Sequence, residues 1–135
     1  LTLKFSENVL KDSNGFEMWI EREEELDGLP DSEKEAAQQM AAGKGKPDSW
    51  LITLDFPSYI PFMKYATNRI LREKLFRAFG SRGFNDNDYN NSAILKEIAA
   101  LRLKKAQLLG YSTHANYVLE ERMAKDPKNV IELWD

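Results

Sequence analysis

The sequence contains no cysteine and a single histidine among its 135 residues. Without thiols there is no disulfide framework, no iron–sulfur ligation and no thiolate nucleophile. That absence fits a reducing compartment, so the expected location is the cytoplasm, with the periplasm as the alternative. Long apolar runs are also missing. No stretch approaches the roughly 18 residues needed to cross a bilayer, no positively charged segment followed by an apolar one reads as a signal peptide, and no membrane partner is expected. An excess of one charge is lacking too. Lys and Arg number 19 against 22 Asp and Glu, a formal net charge of −3, whereas nucleic-acid binders carry a clustered basic excess. No nucleic-acid partner is expected either.

What is present is the composition of a folded domain: 42% hydrophobic and 30% charged residues, unlike a disordered chain. A chain of this size can bury roughly two-thirds of the surface it exposes when unfolded. The expectation is one compact, mostly α domain over residues 1–135, with a small two-stranded antiparallel β element. Leu1 runs straight into Leu3, Phe5, Val9 and Leu10, and Ile131–Asp135 reads as a helix in progress. Both ends are therefore expected to be cuts in a longer chain.

The first segment has loose helical spacing and is expected to stop at the turn residues Asp12-Ser13-Asn14-Gly15. Phe16–Ile20 and Trp50–Leu54 are short, aromatic and β-branched, so they read as strands. Two lone strands are marginal unless packed on helices. Between them, Glu21–Leu29 suggests a helical turn. A helix opening at Pro30-Asp31-Ser32, with Ser32 and Glu35 spaced as a capping box, ends at Gly43 and Gly45. Helices then follow from Pro57 or Ser58, from a cap at Asn68, from Ser92 to Leu109, from Thr113 to Ala124, and again after Asp126-Pro127. Phe56, Tyr59, Phe62 and Tyr65 are expected to face the core. So are Leu71, Leu75, Ala78 and Phe79. Ile94, Ile98, Leu101 and Leu108 share one face of the long helix, and residues 80–91 form a polar loop.

Candidate chemistry is sparse. A hydrolytic zinc ion takes three protein ligands from His, Cys and carboxylates, and His114 is the only imidazole. Ser58, Ser81, Ser92 and Ser112 lie near helix starts or in loops, where hydroxyls cap, and only His114 could act as an imidazole base for any of them. Gly43-Lys44-Gly45-Lys46 lacks the strand and the Gly-Lys-Ser/Thr ending of a phosphate loop. Asp86, Asp88, Asn90 and Glu97 have the spacing of a calcium loop, but Asn91 stands where that loop needs glycine. Local turns and caps are the plainer reading. Arg69, Arg72, Lys74, Arg77 and Arg82 read as a solvated face with local ion pairs, and the Glu21–Glu25 run as a solvated turn. No catalytic, cofactor-binding or metal residue is assigned.

A resemblance carries the functional expectation. Its residues are Phe5-Ser6-Glu7-Asn8-Val9-Leu10, then Leu26-Asp27-Gly28-Leu29-Pro30. Leu54-Asp55-Phe56-Pro57-Ser58-Tyr59-Ile60-Pro61-Phe62-Met63 follows, with Tyr65, Asn68-Arg69 and Leu71-Arg72-Glu73. Arg82, Asn91, Ile94, Leu101-Arg102, Ala106, Leu108-Leu109-Gly110-Tyr111, Met123-Ala124 and Pro127 complete the series. In that order they resemble the zinc oligopeptidase family, which includes thimet oligopeptidase, neurolysin, oligopeptidase A and bacterial peptidyl-dipeptidase. The resemblance implies a segment upstream of a His-Glu-x-x-His zinc helix, in the helical wall of a deep substrate channel. The zinc helix itself is missing from this sequence, so no family ligand or base carries over. The implied parent is a zincin-like oligopeptidase that hydrolyses short peptides and selects them by length. Zinc would belong to the parent and no cofactor to this segment, whose partner would be the remainder of the same chain. The alternative reading is a stand-alone helical protein-interaction module without peptidase activity.

Overall fold

The structure, a computed structural model, describes residues 1–134. The chain divides into two compact units: Leu3–Asn91 form one, and Leu1–Thr2 with the described part of Ser92–Asp135 form the other. The larger unit holds α1 (Thr2–Gly15) apart from its first residue, β1 (Met18–Ile20), a short 3-10 turn (Glu23–Leu26), α2 (Asp31–Gly43), β2 (Trp50–Ile52), α3 (Phe56–Tyr65) and α4 (Arg69–Gly80). The smaller holds α5 (Ser92–Leu108), α6 (His114–Leu119) and α7 (Pro127–Trp134). Asp135, also expected on the last helix, lies outside the described residues.

The expected β element is present. β1 and β2 pair antiparallel in the register Met18↔Ile52, Trp19↔Leu51 and Ile20↔Trp50. Each strand is three residues long, too short to be stable alone. The pair survives because α2 lies against β2, with small residues at Ala37 and Ala41 on its buried side. The core gathers Met18, Ile20, Leu26, Leu29, Ile52, Leu54, Tyr59, Phe62 and Leu75, with Leu71, Ala78 and Phe79 packed at its margin. Tyr59 stacks on Phe79 at 4.2 Å between ring centroids.

Several boundaries differ from expectation for local reasons. α1 continues through Asp12–Gly15, and Ser13 satisfies its hydroxyl inside the helix by donating Oγ to the Val9 carbonyl at 2.7 Å. α2 starts at Asp31, and the Pro30 carbonyl accepts from Glu33 and Lys34 N–H. Ser32 is thereby inside the first turn, and no side-chain cap forms. The end of α2 does follow expectation, with Gly45 N–H bonded to Ala42 O and Lys46 N–H to Ala41 O. Asn68 caps α4 by accepting from Leu71 N–H at 3.2 Å. α6 stops at Leu119, five residues early, where Glu120 and Glu121 would add negative charge to the negative end of the helix dipole.

The aromatic run on α3 is only half buried. Tyr59 and Phe62 are in the core, whereas Phe56 is 67% and Tyr65 43% exposed. Each step of three residues falls about 60° short of a full turn, so the ends of such a run stand on opposite faces.

Gly28 ties the turn before α2 to the end of α3. Its φ is +87°, and a Cβ there would lie 2.3 Å from the Tyr65 carbonyl oxygen and 2.9 Å from Thr67 Cγ2. The approach is held by Thr67 N–H donating to Asp27 O at 2.8 Å. Gly28→Ala is therefore expected to cost about 2–4 kcal/mol of stability. Gly15→Ala, at a position with nothing within 4 Å, should be neutral or gain up to about 1 kcal/mol. Urea unfolding of the two variants checks this. Equal midpoints would contradict the strain assigned to Gly28.

Candidate functional site

The polar end of the larger unit is built by α1 and the loop after α4. Asn8 and Asn91 are 2% and 0% exposed, and Asn8 Nδ2 donates to Asn91 Oδ1 at 2.9 Å. Asn91 Nδ2 in turn donates to the Phe5 carbonyl at 3.1 Å, and its backbone N–H to Gly83 O at 2.6 Å. One turn further along α1, Asp12 gathers the rest of the loop. Its Oδ2 accepts from Gly83 N–H and from Asn85 Nδ2, each at 2.7 Å, and its Oδ1 from Asn87 Nδ2 at 2.8 Å. Partial burial raises the Asp12 pKa, but the bonds from Gly83, Asn87 and Asn85 outweigh it and hold the carboxyl below its ordinary value of 3.8. Gly83 has φ +75°, and a Cβ there would meet Asn91 Nδ2 at 2.7 Å and Val9 Cγ2 at 2.9 Å.

The calcium-like spacing is used differently. Asn85 and Asn87, not Asp86 and Asp88, are the anchored side chains, and Tyr89 N–H bonds to Asn87 Oδ1 in a local turn. Asn91 points inward and Glu97 lies within α5. Among the described residues no three His, Cys, Asp or Glu side chains stand close enough to hold a metal. His114 sits in the first turn of α6 with its Nδ1 covered and unbonded, its ring 6.3 Å from that of Tyr117. This donor set does not fit a hydrolytic zinc ion.

The remaining sequence candidates are absorbed by local structure. Ser58 Oγ accepts from Thr53 N–H, Ser81 Oγ donates to Ala78 O, and Ser112 Oγ bonds to Asn116; none of these partners is an imidazole. The Gly43–Lys46 stretch closes α2, with Lys44 paired to Glu17 and Lys46 lying 4.5 Å from the Trp19 ring. Arg77 pairs with Glu73 at 2.7 Å, and Arg82 lies 3.4 Å over Phe79. Arg69 and Arg72 instead line an open groove with Met63 and Phe76. A separate apolar cleft of about 260 Å³ opens between α2 and α3, walled by Leu29, Ala36, Met40, Pro57 and Pro61. It is below the usual size of a small-molecule site and suits a single large side chain. Sequence reading missed both concavities, because each joins residues from two helices whose packing no local pattern reveals. Among the described residues no helix is long and apolar enough to cross a membrane.

The chain can be set beside known proteins. A model of peptidase family M3 matches residues 62–135. Oligopeptidase A of Haemophilus influenzae is 42% identical over 139 aligned positions, covering all of this chain and 20% of that protein. The probable cytosolic oligopeptidase A of Arabidopsis thaliana is 45% identical over 92% of this chain and 18% of its own length. Dipeptidyl carboxypeptidase of Escherichia coli is 28% identical over 95% of this chain and 19% of its own length. The chain thus spans about a fifth of the length of the curated relatives it matches.

The Asp12 clasp makes a prediction about pH. A carboxyl whose pKa is depressed by folding adds stability above its unfolded value, and that contribution is lost as pH falls through the folded value. Asp12→Asn is expected to cost about 1–2 kcal/mol near neutral pH, where three donors lose a charged acceptor. The gap between wild type and variant should close below the ordinary carboxyl value of 3.8. Unfolding free energies measured across pH check this; a gap that stays constant into acid would contradict the clasp.

Proposed function

The chain belongs to peptidase family M3, and from that membership we propose that residues 1–135 are a non-catalytic helical segment of a zinc-dependent oligopeptidase or peptidyl-dipeptidase. The observation that carries the reading is a 42% identical match spanning the whole chain, to a relative of which it covers only a fifth. In this reading the complete enzyme hydrolyses short peptides inside a deep channel. The segment contributes helical wall, and the wall selects substrates by length because a folded protein cannot enter.

Two features support the assignment. The donor set around His114 does not fit zinc, so the ion and the chemistry it supplies, polarising the scissile carbonyl and activating water, are housed in the remainder of the chain. No catalytic, cofactor or metal residue is assigned here. The second feature is apolar surface. Phe56, Ile60, Ile70 and Phe76 on α3 and α4, and Leu101, Leu108 and Trp134 on α5 and α7, are between 48% and 87% exposed. Apolar surface of this extent marks an interface. Its partner is the rest of the same peptidase, with peptides as the enzyme's substrates and neither nucleic acid nor membrane involved. The working compartment is the cytoplasm, and residues 1–135 act as one piece of the wall.

Incubated with internally quenched short peptides, the chain is expected to release no product above buffer, with or without added zinc. Zinc-dependent hydrolysis that follows the chain through successive columns would overturn the non-catalytic assignment. Exchanging the chain for the aligned segment of the H. influenzae oligopeptidase A should yield a folded enzyme that still cleaves the same peptides. A chimera that folds poorly or is inert favours a stand-alone interaction module instead. Light scattering of the chain alone should show association that grows with concentration, and a strict monomer would count against the exposed faces being an interface.

A further inference from the structure

The groove between α3 and α4 presents two guanidinium groups with no carboxylate assigned to them. Arg69, Arg72, Glu73 and Phe76 stand at spacings of three and four, hence on one face of α4, and Met63 of α3 lies across from them in an open groove of about 490 Å³. Glu73 is already engaged, its Oε1 accepting from Arg77 Nε at 2.8 Å. Neither Arg69 nor Arg72 has an ion-pair partner among the described residues. Arg72 is half-buried, and its Nε is covered from solvent without a hydrogen-bond partner. Phe76 is 62% exposed. Arginine, methionine and an aromatic ring around an unfilled concavity are the side chains that anchor protein interfaces.

We propose that this groove is the docking surface for a carboxylate-bearing apolar segment of the same peptidase chain, from outside residues 1–135. The inference rests on the reading of the chain as part of a larger enzyme. The carboxylate sits with Arg69 and Arg72, and its apolar neighbour lies against Met63 and Phe76. Three observations choose this occupant. The groove's charge is positive once Glu73 is taken by Arg77. The planar fork of arginine matches a carboxylate in a two-bond geometry, and a half-buried side chain has less freedom to lose on binding. The relatives are about five times as long as this chain, so most of the polypeptide that would cover the groove lies elsewhere in sequence.

The test uses the H. influenzae oligopeptidase A chimera and the chain by itself, each with Arg72→Gln, Arg72→Lys and Arg69→Gln/Arg72→Gln. In the chimera, Arg72→Gln should lower the melting temperature by several degrees. The double variant should lower it further, Arg72→Lys less, and added salt should narrow the differences. In the chain alone, diluted until it no longer associates, the same changes should leave melting unmoved, because no partner is present to lose. Equal shifts in both settings, or none in the chimera, overturn the groove assignment. So does loss of self-association in the free chain on Arg72→Gln, which would make a second copy the occupant. An unsubstituted chimera that fails to fold or to cleave peptide contradicts the proposed function and removes this inference with it. A working chimera indifferent to Arg72 contradicts the groove alone.

Discussion

The amide pair Asn8–Asn91 is the contact on which the polar end of the larger unit depends. It joins residues 83 positions apart, both cut off from water, where a polar group left unpaired is costly. Asn91 meets that cost by spending its side chain on α1 and its backbone N–H on Gly83, which brings Gly83 within reach of Asp12. Asp12 then collects Asn85 and Asn87. The sequence of bonds turns the polar stretch between α4 and α5, otherwise free to wander, into a fixed loop that ends where α5 begins. An apolar pair of similar size would fill the space but would specify neither the loop path nor the tight turn at Gly83.

A second constraint is the imbalance between what the chain buries and what it leaves in water. The core is well made around Phe62, Leu75, Met18 and Ile52, each 2% exposed or less. Beyond it, the outward faces of α3, α4, α5 and α7 carry aromatic and aliphatic side chains that a self-sufficient surface rarely concentrates. Stable packing of the β pair with obvious apolar excess on the helices is what a segment taken from a larger assembly should look like. The chain belongs to peptidase family M3 and spans about a fifth of a relative's length, and in the proposed reading that excess meets the remainder of the same chain.

Much of the architecture was legible in the sequence because it is written locally. Asn68 as a cap, Gly45 as a helix stop and the two short strands all depend on residues within a few positions of each other. What was not legible is of two kinds, local helix geometry that the residue pattern misjudged and partners distant in sequence. Ser32 lost its capping role because Pro30 had already supplied the first acceptor, and the three-residue aromatic spacing on α3 promised a stripe that helical geometry does not sustain. The calcium-like spacing at Asp86, Asp88 and Asn90 looked suggestive, yet the residues held by Asp12 from across the fold are Asn85 and Asn87, and Asn90 Nδ2 donates to the Asn85 carbonyl within the loop. The concavities between α2 and α3 and between α3 and α4 left no trace in any local pattern. Family membership was readable from ordered short motifs, since these are matters of identity and not of packing.

The most direct measurement is the sequence of the transcript on either side of this segment. The expected result is a reading frame that continues beyond Asp135 and encodes a His-Glu-x-x-His helix downstream. A frame that starts at a methionine immediately before Leu1 and stops immediately after Asp135 would contradict it.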